Sequence, residues 1–315
     1  MAELSKLVSV ITPCHNAERW VGEAVASCLQ QTYQPIDVIV IDDGSTDGSL
    51  DVLRSFGAKI RWESGPRHGA CYARNRGFSL SEGRYIQFLD ADDYLLPEKI
   101  ERQVSFLEET GADVVYGDWR HQYHQPDGRV VSGGTQVSGF QTDMLESLLG
   151  GWWSANMTLL MRREALLHCR GWDEALDAGQ DRDFFISIAM SGADIRYQSG
   201  CHSVYRRYGN VTISTAGLQR WLENHRRLLE KVESKLKDTG QLKAGYRRAL
   251  AQSYFSIARN YYDIDRSKYA QMLKKTLSLY PDFRPNGSLI YCFTQRVLGF
   301  EMADKLAKYR RSVLG

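Results

Sequence analysis

Two periodicities alternate through the first 120 residues. Apolar runs stand at Leu7 to Thr12, Val38 to Ile41 and Tyr85 to Leu89, and Lys59 to Trp62 reads as a further strand. Short runs of this kind suit strands that are covered on both faces. Between them, Trp20, Val21, Ala24, Val25, Cys28 and Leu29 fall at helical spacing, as do Leu50, Leu53 and Phe56. Ala70 to Leu80 is a third helical stretch, and Pro97 opens a fourth that reaches Thr110. The alternation predicts right-handed crossovers and a largely parallel, doubly wound sheet.

From Asp113 to Ser138 the pattern turns strand-like, with a hairpin turn at Pro126-Asp127-Gly128. Short mixed elements follow to Ile213. Beyond Ala216 the spacing predicts helices at about 218–237, 242–262 and 266–280. Tyr254, Ala258, Tyr261 and Tyr262, then Tyr269, Leu273, Leu277 and Pro281, are arranged like one tetratricopeptide-type helical hairpin. The expected organisation is an α/β domain over residues 1–215 and a helical region over 216–315.

Charge supports that division. Residues 1–215 hold 20 Lys+Arg against 29 Asp+Glu, a net −9, and residues 216–315 hold 20 against 9, a net +11. The basic part is either a solvated helical face or a surface for peripheral contact with an anionic membrane. No nucleic-acid partner is expected. No apolar run approaches the roughly 18 residues of a membrane span, and the N-terminus lacks a signal-peptide pattern. The expected location is the cytoplasm, with peripheral contact at the inner face of the membrane as an extension. The six cysteines are scattered, with no C-x-x-C pair, and read as small buried hydrophobes.

Ligands of open parallel sheets bind beyond the carboxyl ends of the strands. Carboxylates gather at those ends: Asp42 and Asp43 after the second strand, and Asp90, Asp92 and Asp93 after the fourth. A turn with a helix N-cap accounts for Ser45, Thr46 and Asp47. It does not account for the second cluster, where acids crowd and would repel without a cation or donor. Asp90-Ala91-Asp92 is a short D-x-D whose oxygen ligands suit Mg²⁺ or Mn²⁺ bound together with a diphosphate.

With these motifs in place, the sequence resembles glycosyltransferase family 2, the inverting enzymes of the GT-A fold. Val8 to Asn16 is similar to the family's first strand and loop, and Asp42-Asp43-Gly44-Ser45-Thr46-Asp47 to its nucleotide-contacting turn. Gly69 to Gly77 resembles its G-x-x-x-A-R-N-x-G helix, and Tyr85 to Asp93 its D-x-D strand. Gly171-Trp172-Asp173-Glu174 and Gln180-Asp181-Arg182-Asp183-Phe184 resemble its acceptor-side G-x-D-E and E-D-x-D-F, with Gln180 standing where the family has Glu.

The resemblance implies roles. Asp43 would bond the nucleotide base, with Pro13 and Asn16 lining that pocket and Arg74 near the base or diphosphate. Asp92 would be the main metal ligand, Asp90 would hold sugar or metal, and Asp181 would be the catalytic base. Inversion by one displacement needs only that one base. Gln180 leaves Asp181 more acidic than a paired carboxylate would be.

Weaker signals remain. Trp152, Trp153, Trp172 and Asp173 are acceptor-side candidates, the tryptophans having core packing as their rival reading. His202 is a candidate metal ligand late in the chain. Arg206 and Arg207 are candidate diphosphate clamps, with surface ion pairing as the alternative. His121 and His124 are expected to be exposed on the hairpin. No G-x-G-x-x-G follows the first strand, which disfavours a dinucleotide-dependent dehydrogenase. The expected activity is metal-dependent, inverting transfer from a nucleotide-sugar, UDP-linked, to a saccharide or lipid-linked acceptor in cell-envelope or exopolysaccharide synthesis. The alternatives are a sugar-1-phosphate nucleotidyltransferase and a catalytically silent nucleotide-binding assembly module.

Overall fold

The computed structural model describes residues 6–176, 178–208, 217–285 and 289–314, with side chains to residue 309. The chain opens with β1 (Val8–Cys14), α1 (Val21–Leu29), β2 (Ile36–Asp43), α2 (Ser49–Ser55), β3 (Arg61–Gly65) and α3 (Ala70–Leu80). There follow β4 (Tyr85–Phe88), β5 (Tyr94–Leu95), α4 (Lys99–Thr110), β6 (Val114–His124), β7 (Val130–Gln136) and α5 (Met144–Leu149). Then come β8 (Leu160–Arg162), α6 (Arg163–Leu167), α7 (Gln180–Met190) and β9 (Ile195–Tyr208). Four helices end the described chain: α8 (Leu218–Asp238), α9 (Ala244–Tyr261), α10 (Arg266–Leu279) and α11 (Leu289–Leu314). The last is broken at Gly299, where φ is 82°.

The strands form one sheet in the order β3-β2-β1-β4-β8-β6-β9-β5, with β7 paired to β6. It is parallel through β3-β2-β1-β4 and again at β6-β9, and β8, β7 and β5 join it antiparallel. The expected α/β sheet with flanking helices and an all-α C-terminal region is therefore present. Every residue of β1 is buried, which explains its apolar run. Helix α3 packs so closely on this strand that a Cβ at Gly77 would lie 2.4 Å from the Ile11 Cγ2. Only glycine fits there.

Two compact units divide the chain. One comprises Met1–Met144 with Trp153–Gly217, and the other Leu145–Trp152 with Leu218–Gly315. The expected helices near 218–237, 242–262 and 266–280 appear as α8, α9 and α10. Helix α11 had no counterpart in the sequence pattern. Inside the second unit, the buried Glu233 carboxylate takes Lys237, Lys275 and the Tyr254 hydroxyl. Asp304, also buried, takes Arg259, Tyr269 and Tyr291. Helix α11 leaves Leu289, Ile290, Phe293, Val297 and Leu298 exposed. Among the described residues, no helix is long and apolar enough to cross a membrane.

Candidate active site

Register sets the floor of the site. Cys14 pairs with Asp42 and Ile11 with Phe88, so the turns after β1, β2 and β4 open at one edge of the sheet. The first two turns are stapled together. The Asn16 amide donates to the Ser45 hydroxyl at 2.9 Å, and the Asn16 side-chain carbonyl accepts from the Thr46 amide at 2.8 Å. Asn16 holds φ at 49°, a left-handed conformation that asparagine tolerates. Pro13 is buried beside it.

The two acids of β2 are used differently. Asp43 accepts from the backbone amides of His68 at 2.6 Å and Gly69 at 2.8 Å, and so pins the approach to α3. Asp42 accepts from the Ser64 hydroxyl at 2.7 Å through Oδ2, while its Oδ1 is buried without a hydrogen-bond partner. An unmet buried acceptor is costly, and it belongs to the neighbour of the residue singled out by sequence.

Arg74 lies at the centre. Its guanidinium is buried, donates to Asp90 at 2.6 Å and to the Gln180 carboxamide oxygen at 3.3 Å, and sits 4.3 Å from the Trp172 ring centre. Gln180 thus serves as a neutral acceptor for Arg74, a part that the sequence reading did not assign. Asp181, in the first turn of α7, is half-buried. Burial raises its carboxyl to about 6; Arg74 opposes the rise and Asp90 adds to it. Even with Gln at position 180, the carboxyl is less acidic than usual, because desolvation outweighs the missing charge.

Beyond Asp90 the turn is tied to the end of β9. The Arg206 amide donates to Asp93 at 2.8 Å, and the Tyr208 hydroxyl donates to Asp92 at 2.9 Å. Burial first, and then the neighbouring acids, hold Asp92 above the usual carboxylate range and Asp93 well above it.

Several expected residues lie elsewhere or act differently. Arg206 is no swinging clamp. Its buried guanidinium is packed between Trp20 and Tyr94, at 4.9 and 4.6 Å from the ring centres, and is ion-paired with Glu23. Arg207 lies over the Tyr205 ring at 4.7 Å. His202 does not join the D-x-D: its position is level with Leu96, and Arg102 and Glu98 of α4 are its charged neighbours. From β9, Arg206 donates to the Asp92 carbonyl at 3.2 Å, and Tyr208 reaches the Asp92 carboxylate, which sequence missed because a tyrosine carries no ligand signature.

Trp172 is enclosed rather than open to an acceptor. It stacks on Phe184 at 4.0 Å, and Phe88 meets it edge-on at 5.2 Å. Asn75 locks its loop, donating to the Trp172 carbonyl at 2.9 Å and accepting from its amide at 3.1 Å. Asp173 accepts from the Ala175 amide at 3.1 Å, a turn-forming bond. Trp153 is 47% exposed. Trp152 is half-buried and belongs to the second unit. His121 and His124 are not exposed as expected; both are half-buried among aromatic rings.

Metal fit rests on the Asp90–Asp93 turn. Among the described residues, no three His, Cys, Asp or Glu side chains converge to cage an ion by themselves. One or two carboxylates completed by substrate phosphate oxygens is a usual arrangement for Mg²⁺, and the carboxylates of Asp90 and Asp92 fit it.

Residues 9–168 match the family model described as glycosyl transferase family 2. A Haemophilus influenzae protein named as an uncharacterized glycosyltransferase is 32% identical over 213 residues, spanning 66% of this chain and 82% of that one. The hyaluronan synthase of Pasteurella multocida is 28% identical over 223 residues, which are 70% of this chain and only 22% of the synthase. Among solved structures, S. aureus TarS 1–349 in complex with UDP-GlcNAc superposes with a TM-score of 0.67 at 18% identity, covering 97% of this chain and 92% of that one. At that identity the likeness is one of fold.

Proposed function

The chain belongs to glycosyltransferase family 2, and from that premise we propose that it transfers a sugar from a nucleotide-sugar to an acceptor hydroxyl by a single inverting displacement. The observation that carries the mechanism is Asp181, a carboxyl of raised proton affinity held beside Arg74 and Asp90 at the rim of the D-x-D turn. A base poised near neutral pH can take the acceptor's proton as its oxygen attacks the anomeric carbon. The nucleoside diphosphate leaves from the opposite side, which inverts the anomeric configuration.

Residues of the first unit divide the remaining work. The Asn16 turn, Pro13 and Asp43 hold the base. Arg74 fixes Asp90 and supplies positive charge near the diphosphate. Asp92, with Asp90, would hold Mg²⁺ or Mn²⁺. When bound, that ion neutralises charge developing on the departing diphosphate. Arg207 flanks the site, and Arg206 sets the shape of its wall.

UDP is the favoured nucleotide, supported by the UDP-GlcNAc bound to TarS. A saccharide or lipid-linked acceptor in cell-envelope or exopolysaccharide synthesis is supported by the hyaluronan synthase relative. We assign residues 1–215 to catalysis and 216–315 to a helical region that meets the inner face of the membrane. The exposed apolar residues of α11 and the basic excess of this region support peripheral contact. Family membership sets the nucleotidyltransferase reading aside, and the presence of Asp43, Asp92 and Asp181 together argues against a silent module. Donor hydrolysis across UDP-, GDP- and dTDP-sugars, with Mg²⁺, Mn²⁺ or EDTA, tests the reading. Cleavage of one donor class that needs the cation is expected, and cleavage of none would overturn it.

A further inference from the structure

The end of β9 closes on the Asp90–Asp93 turn through three hydrogen bonds. The Arg206 amide donates to the Asp93 carboxylate at 2.8 Å, and the Arg206 guanidinium donates to the Asp92 carbonyl at 3.2 Å. The third runs from the Tyr208 hydroxyl to the Asp92 Oδ2 at 2.9 Å. Of the three, this last alone reaches the Asp92 carboxylate. Each acid of the turn thus has its own partner. Asp90 is held by Arg74 at 2.6 Å, and Asp93 is buried on the Arg206 amide. Asp92 is held by the hydroxyl of a side chain that is 38% exposed.

The direction of that hydroxyl is built in. The Tyr208 ring packs on Trp20, with centres 5.0 Å apart and planes at 35°. Trp20 is itself buried, with the His124 ring edge-on at 4.6 Å and the Arg206 guanidinium at 4.9 Å. A phenylalanine would fill the same place against Trp20. What the tyrosine adds is a donor, and the donor is spent on Asp92. A carboxylate offers about four lone-pair positions on its two oxygens, so one phenol bond turns the group and leaves positions for an ion. Carboxylates that bind metals are commonly fixed by such partners, whose loss lowers metal affinity about 10–100-fold.

We propose that Tyr208 is a positioning residue for the divalent cation: its hydroxyl, aimed by Trp20, fixes the Asp92 carboxylate in the orientation that takes Mg²⁺ or Mn²⁺. As the donor to Asp92, the phenol stands behind the carboxylate and is not itself a ligand. The inference rests on the reading that Asp92 binds a cation, and it adds the residue that orients this ligand.

The test uses the full chain, Mn²⁺ as the probe and Tyr208→Phe, which keeps the ring on Trp20 and removes only the hydroxyl. Electron paramagnetic resonance counts free Mn²⁺ in titrations with and without UDP, and calorimetry measures UDP affinity in EDTA. Mn²⁺ affinity should fall about tenfold or more, while UDP affinity in EDTA and the melting temperature change little. Tyr208→Leu, which loses the ring as well, should fall at least as far. A Phe variant that binds Mn²⁺ within about twofold of the wild type overturns the role of Tyr208 and leaves Asp92 as a ligand. Equal losses of Mn²⁺ binding and of cation-free UDP binding also overturn it, because they mark a general disturbance of the site. A wild-type chain that takes up no Mn²⁺ in either titration would refute the cation reading itself, and the proposal with it.

Discussion

Arg74 and Asp90 form an ion pair of 2.6 Å that joins α3 to the turn after β4, with the arginine buried and the aspartate still partly in water. The pair decides what the neighbouring carboxyl can do. Burial raises the proton affinity of Asp181, the proposed base; Arg74 opposes that rise and Asp90 adds to it.

Breaking this pair should cost stability. Arg74→Met leaves the Asp90 charge uncompensated and removes the cation that lies over Trp172. The expected loss is about 3 kcal/mol, at the low end for a broken buried pair because Asp90 keeps some solvent. Urea denaturation of the variant measures it, and a loss below about 0.5 kcal/mol would place the pair among surface contacts.

The pH profile follows from Asp181. With its carboxyl raised to about 6, kcat/KM should rise with pH through about 6 and then level off. Asp90→Asn removes a charge that raises Asp181, so the acid limb of its residual activity should move to lower pH. Rates measured from pH 4.5 to 8.5 decide this, and an unshifted limb would remove Asp90 from the account.

Stability should change with pH in the opposite sense. A folded-state pKa above the ordinary 3.8 means that folding favours the protonated form. That contribution is complete below 3.8 and is lost as pH rises through about 6. In EDTA, Asp181→Asn should therefore match the wild type near pH 4 and exceed it at pH 7.5, by on the order of 2 kcal/mol. Melting curves at the two pH values give the difference directly.

Metal binding is assigned to the D-x-D. Asp92→Ala should abolish transfer and cation-dependent nucleotide binding while the fold persists, because Asp92 contributes a single hydrogen bond, from Tyr208, that is easily lost. Calorimetry with UDP and Mn²⁺ reads it. Full activity of this variant, or of the wild type in EDTA, would remove the cation from the mechanism.

Membrane contact through the C-terminal region should depend on charge. Flotation with vesicles should rise with the fraction of anionic lipid and fall with salt. Deleting residues 296–315 removes Arg296, Lys305, Lys308, Arg310 and Arg311 and should weaken it. Flotation insensitive to salt and to the deletion would leave the basic excess as a solvated surface.

Much of the first unit was legible in sequence because its signals are local. The buried strands β1 and β2 read as apolar runs, and the acids at their ends stood out against a helical background. What was hidden depends on partners far along the chain. Arg206 looked like a surface clamp until β9 carried it between Trp20 and Tyr94. Lys99, at a polar helix start, is fully buried, its ammonium donating to Gln87 and to the Leu159 carbonyl. Strand β5 has two residues, too few for a period. Helix α11 is broken at Gly299 and carries apolar residues on several sides, so no single stripe announced it.

The central claim is that Asp181 serves the acceptor alone while other residues hold the donor. One measurement addresses it: donor affinity, transfer rate and product anomer for Asp181→Asn beside the wild type. Asparagine keeps the shape but takes no proton. Nucleotide-sugar affinity should stay within about twofold, and kcat should fall by about 10²–10⁴-fold or more, the usual worth of a general base. NMR of the wild-type product should show the anomeric configuration opposite to the donor's. Near-normal transfer by the variant, or a product that retains the donor's configuration, would contradict the account.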